Sequence, residues 1–91
     1  MITILDFYAD WCSPCKQLTP ILESIEKELE YVHIQKVNID DNNHEDLIRD
    51  YQIRNIPTLV LTMKGKFPKR LVGLYQKEKL IKIIEEYKNG N

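Results

Sequence analysis

Residues 6–20 read DFYADWCSPCKQLTP and hold both cysteines of the chain, Cys12 and Cys15. The run that leads into them, ITILDFY at 2–8, is mostly apolar and rich in β-formers, the pattern of a strand buried on both faces. The run that follows is helical over about 14–30: Leu18, Ile21, Leu22, Ile25 and Leu29 fall on one face at i, i+3, i+4, i+7 and i+11. The cysteines therefore stand where a strand ends and a helix begins. Pro14 suits a first helical turn, where no backbone N–H is needed. Pro20 lies inside the pattern and is expected to kink the helix by removing one bond.

Outward from this junction the elements keep alternating. YVHIQKVNI at 31–39 reads as a second strand with imperfect alternation, and DDNN at 40–43 as loop and helix-cap chemistry. A short helix over about 44–52 buries Leu47, Ile48 and Tyr51. TLVLTM at 58–63 is a third strand, Lys64 and Gly65 a turn, and KFPKRLVG at 66–73 a fourth strand, where Pro68 argues for an edge or a bulge. A last helix over about 76–88 stacks Leu80, Ile83, Ile84 and Tyr87, with Gly90 near its stop. The order is β-α-β-α-β-β-α, an α/β fold. Its first β-α-β is a right-handed parallel unit, its last two strands an antiparallel hairpin. A mixed four-stranded sheet flanked by helices follows.

The chain has 91 residues, 43% hydrophobic and 30% charged, with a net charge of -1. That is one globular domain over 1–91, small enough to depend on good packing. The charge gives no general attraction to nucleic acid or to an anionic membrane. No apolar run reaches the roughly 18 residues of a spanning helix. Met1 leads directly into ITILDFY without a basic region or cleavage site, so a cytoplasmic protein is expected. In a reducing compartment a disulfide is usually transient and catalytic.

At the start of the helix, the Cys12 sulfur can face unpaired N–H groups and the positive end of the dipole. Both favour the thiolate, which is the nucleophile. Cys15 follows at i+3, so the sulfurs can meet, and Pro14 stiffens the turn between them. Trp11 supplies an apolar surface at the rim. A structural pair and half a zinc site are the competing readings. A structural zinc site takes four ligands, and His33 and His44 form no second paired motif. A redox Cys-x-x-Cys on a β-α-β unit is the favoured reading.

LDFYADWCSPCK at 5–16, with VNIDDN at 37–42, YQIRNIPTLVL at 51–61 and VG at 72–73, resembles the thioredoxin family over nearly the whole chain. The implied fold is a minimal thioredoxin-like domain, because the strand and helix that usually come first in the family are not in this chain. The sheet edge they would cover is expected to be charged or otherwise paired. A second departure is Ser13, where glycine is common. It can donate a hydrogen bond near the thiolate, and the pair between the cysteines tunes the dithiol–disulfide balance.

Asp6 is a lone carboxylate in an apolar strand. It either faces water at the strand end or is buried, which is costly and raises a carboxyl pKa. By resemblance it is the buried proton acceptor behind Cys15. Lys36, in the neighbouring strand, either tunes Asp6 or snorkels to the surface. Pro57, in NIPT at 55–58, marks a strand start; the resemblance implies a cis bond that presents the backbone of Ile56 to a substrate peptide. Gly73 ends the fourth strand as a turn glycine, or, by resemblance, allows close backbone approach at a substrate groove where a Cβ would collide.

The resemblance implies a protein-disulfide reductase and dithiol carrier. Cys12 attacks, Cys15 resolves, Asp6 and Lys36 assist, and Trp11, Ser13, Pro14, Ile56, Pro57 and Gly73 meet the client. No cofactor is required, because the sulfurs carry the electrons. The implied partners are disulfide-containing clients, with ribonucleotide reductase as one candidate, and a flavin-dependent thioredoxin reductase that recycles a monomer. The alternatives are a glutaredoxin-like, glutathione-coupled protein and a non-catalytic binding subunit.

Overall fold

The computed structural model describes residues 1–90. The elements are β1 (Ile2–Tyr8), α1 (Ser13–Glu28), β2 (Val32–Asn38), α2 (Glu45–Asp50, after a 3-10 turn at Asn42–His44), β3 (Thr58–Met63), β4 (Lys69–Val72) and α3 (Lys77–Asn89). The strands lie in the order β2-β1-β3-β4. β1 pairs with β2 in parallel and with β3 antiparallel, and β3 pairs with β4 antiparallel. The expected mixed sheet is present, and no described helix is long and apolar enough to cross a membrane.

β1 lies inside the sheet, and its side chains alternate between two cores. Ile2 and Ile4 pack with Leu18, Leu22 and Ile25 of α1 and with Leu80 and Ile84 of α3. Leu5 and Phe7 join Val37 and Val60 on the other face, against Leu47 and Ile48 of α2 and Tyr51 beyond it. Both faces are thus covered, which is why β1 reads as an unbroken apolar run. Each such fully buried Leu, Ile or Phe side chain contributes about 1.5–3 kcal/mol. The same alternation puts Asp6 in line with Ile2 and Ile4, on the α1 face.

β4 is shorter than the 66–73 expected. Pro68 has no N–H to give the ladder, and the strand begins after it. Lys66 serves α3 instead: its Nζ donates to the carbonyls of Tyr87 (2.5 Å), Lys88 (3.0 Å) and Gly90 (2.7 Å). These last-turn carbonyls have no partner within the helix, and they form its negative end. The Tyr87 hydroxyl returns a bond to the Phe67 carbonyl at 2.8 Å. Met63 stands opposite Ile2 and Thr58 opposite Phe7, so this latch is about 20 Å from the cysteine end of the sheet at about 3.3 Å per residue. Lys66→Met keeps the aliphatic stem and loses the cap. It should cost about 1–2 kcal/mol in urea unfolding, with disulfide reduction unchanged.

β2 is one of the two edge strands, and its outer side shows how an open edge is managed. His33, Gln35 and Lys36 are exposed along it. The Ile39 N–H bonds back to Tyr8, and Ile2 bonds to Tyr31. By alternation the N–H of Ile34 then points away from β1. It meets no strand; it donates to Glu26 Oε2 of α1 at 2.8 Å. The expected charged edge is there, and a carboxylate supplies the pairing.

Candidate functional site

Cys12 is the N-cap of α1, in extended backbone. Its Sγ accepts the N–H of Cys15 at 3.3 Å, satisfying one of the donors that every helix start leaves unpaired. The backbone N–H of Cys12 is held by the Ala9 carbonyl at 3.1 Å. The Cα atoms of Cys12 and Cys15 are 5.3 Å apart and the sulfurs are bonded to each other. The N–H donor and the positive end of the helix dipole thus both act on the Cys12 sulfur. Cys12 is 5% exposed and Cys15 3%. Ser13 and Pro14 form the exposed first turn between them.

The surroundings come from four parts of the chain. Ala9, Tyr8, Ile39 and Ile56 pack around the cysteines. The Ile56–Pro57 peptide is cis, and the Pro57 carbonyl accepts the N–H of Gly73 at 2.8 Å. That bond ties the end of β4 to the start of β3, next in sequence to Ile56, which packs on the cysteine pair. Gly73 has a φ of +98°, and an added Cβ would meet no atom of this chain within 4 Å. The left-handed backbone is therefore what requires glycine here; within the chain itself there is no close approach. Trp11 is 69% exposed, yet its ring is fixed, because Nε1 donates to Asp40 Oδ2 at 2.9 Å. Val72 and Leu74, on either side of Gly73, add exposed apolar surface. The sequence places Asp40 in a loop and gives no signal that sets Val72 and Leu74 apart.

Asp6 is 2% exposed, and its Oδ1 has no protein hydrogen-bond partner. Burial raises its carboxyl to about 6, against the Lys36 ammonium, which lowers it. Of the two readings of Asp6, the buried one is correct. Lys36 is the cross-strand partner of Asp6. Its ammonium lies 4.5 Å from the centroid of the Tyr8 ring and 3.4 Å from Thr19 Oγ1. A cavity of about 240 Å³ opens beside them, lined by Asp6, Thr19, Leu22, Glu23, Glu26, Ile34 and Lys36. Among the described residues no group of three or more His, Cys, Asp or Glu converges on a metal position. His33 lies 3.3 Å from Glu26, and His44 is 2.8 Å from the Asn38 carbonyl.

The family model that matches is Thioredoxin, over residues 1–86. The chain is 48% identical to a thioredoxin of Chlamydia caviae, covering 94% of this chain and 82% of that one. It is 48% identical to a thioredoxin of Rickettsia bellii over 89% of this chain and 76% of the other. Among solved structures it is similar to a mutant thioredoxin from Halobacterium salinarum, with a TM-score of 0.85, 34% identity, and coverage of 99% of this chain and 77% of that one.

Proposed function

Since the chain belongs to the thioredoxin family and carries a paired Cys12 and Cys15, as a thiol–disulfide oxidoreductase does, we propose that it is a protein-disulfide reductase and dithiol carrier. The observation that carries this is Cys12 Sγ capping the start of α1 while bonded to Cys15. The glutathione-coupled and non-catalytic alternatives are not favoured by these relatives.

In the reduced protein the Cys12 thiolate attacks one sulfur of a client disulfide. The other client sulfur leaves as a thiolate and takes a proton, and a mixed disulfide remains on Cys12. Asp6, ionised, accepts the proton of Cys15. The Cys15 thiolate then attacks the Cys12 sulfur and expels the second client thiolate, leaving the Cys12–Cys15 disulfide. Two electrons have passed to the client. Trp11, Ser13, Pro14, Ile56, Pro57 and Gly73 form the shallow surface on which the client chain lies, with Ile56 offering backbone hydrogen bonds. Thioredoxin-family chemistry implies disulfide-containing clients and a thioredoxin reductase that restores the dithiol. Ribonucleotide reductase is a candidate client, and the working form is a cytoplasmic monomer.

Equilibration of the Cys12–Cys15 couple against a dithiol buffer at neutral pH tests this reading. The expected potential is near about −270 mV, the reducing end of the range. A value near about −120 mV would make the protein a disulfide donor instead.

A further inference from the structure

We infer that Thr19 is a positioning residue: its hydroxyl holds the Lys36 ammonium at the mouth of the cavity beside Asp6, and so sets how strongly that ammonium acts on the Asp6 carboxyl. This rests on the reading of Asp6 as the proton acceptor for Cys15. Thr19 lies four residues beyond Cys15, one turn along the same side of α1. Its Oγ1 donates to the Cys15 carbonyl at 3.1 Å. That bond uses the only hydroxyl hydrogen, so toward Lys36, at 3.4 Å, the oxygen acts as acceptor. One hydroxyl thus joins the backbone of the resolving cysteine to the cation that stands across the strand pair from the buried carboxylate. A β-branched side chain bonded back to its own helix has little rotamer freedom, so it makes a firm post.

An exposed lysine without anchors samples many rotamers and keeps its head in water. Here both the Tyr8 ring and the Thr19 hydroxyl hold the ammonium. The charged and titratable groups around Asp6 show where a released ammonium would go. Lys36 of β2 and Glu23 and Glu26 of α1 line the cavity with Asp6; Tyr8 of β1 lies against the Lys36 ammonium, and β3 sets the uncharged Leu59 opposite Asp6. Glu26 is already engaged with the Ile34 N–H and His33. Glu23 lines the same cavity and is exposed, at its open side. A released Lys36 is therefore free to share its time between Glu23, solvent and Asp6, and its average effect on Asp6 weakens.

The test is a pH titration of the Asp6 carboxyl by carbon-13 NMR in the oxidised protein. Wild type is compared with Thr19→Val, Thr19→Ser, Lys36→Met and the Thr19→Val/Lys36→Met double variant. Thr19→Val should move the Asp6 midpoint up by roughly half a pH unit, Thr19→Ser should restore it, and Thr19→Val should add nothing once Lys36 is methionine. An unmoved midpoint in Thr19→Val overturns the inference. So does a shift that persists in the Lys36→Met background, since Thr19 would then act through the helix. If Asp6 in the wild type titrates in the ordinary carboxylate range, the proton-acceptor reading fails first, and visibly so.

Discussion

Asp6→Asn should produce a protein more stable than the wild type at pH 7 and slower in its second chemical step. In the folded chain the Asp6 carboxyl is raised to about 6 by burial; in the unfolded chain it returns to about 3.9. The folded state thus holds its proton over a pH range in which the unfolded state has lost it. Stability therefore falls as pH rises from about 4 to about 6. Below that window the carboxyl is protonated in both states and costs nothing through ionisation. Above it the full penalty applies, about 2–3 kcal/mol for a shift of this size. The amide removes the charge, so urea unfolding at pH 7 should show a gain of about 2 kcal/mol. The gain should shrink as the pH is lowered to 4. On the proposed mechanism the same substitution removes the acceptor for the Cys15 proton. Release of client from the mixed disulfide should slow on the order of 10²-fold, the usual size of a general-base contribution. Stopped-flow measurement of that step is the decisive one: an unchanged rate would take the proton-acceptor role away from Asp6.

Cys15→Ser should leave the first attack intact and stop the second. Incubated with a disulfide-bonded peptide, the reduced variant should accumulate a covalent adduct on Cys12, visible by mass spectrometry and removed by dithiothreitol. Turnover should fall to the uncatalysed background. Cys12→Ser should show neither adduct nor turnover. The asymmetry follows from position: Cys12 Sγ receives the Cys15 N–H at the helix start, whereas Cys15 sits inside the first turn, more deeply covered. An adduct on Cys15 in the Cys12→Ser variant would reverse the assignment of roles.

Much of this is legible along the chain because it is local. The apolar run at 2–8 signals a strand covered on both sides, and β1 is Ile2–Tyr8. The stripe Leu18, Leu22, Ile25 faces the core as its spacing requires. Contacts between distant residues are not legible. Trp11 bonds to Asp40 across 29 residues, Lys36 to Thr19 across 17, and Lys66 to the end of α3 across 21 to 24. Composition and periodicity say nothing about such pairs, so the sequence places Lys66 in a strand and Asp40 in a loop. Gly73 shows a subtler limit. Its type is informative, but two physical reasons for a glycine, space and backbone sign, look identical in a sequence; the positive φ shows that the backbone reason applies here.

Glu26 has a consequence beyond the fold. A β-strand from another molecule that arrives at β2 finds the Ile34 N–H already occupied by a charged acceptor. To form its first rung it must strip that carboxylate and return it to water, while passing the exposed Lys36. Fibril growth depends on unclaimed backbone donors and uncharged flanks. At Ile34 this sheet offers neither, so the same helix that presents the cysteines also withholds a template from self-assembly.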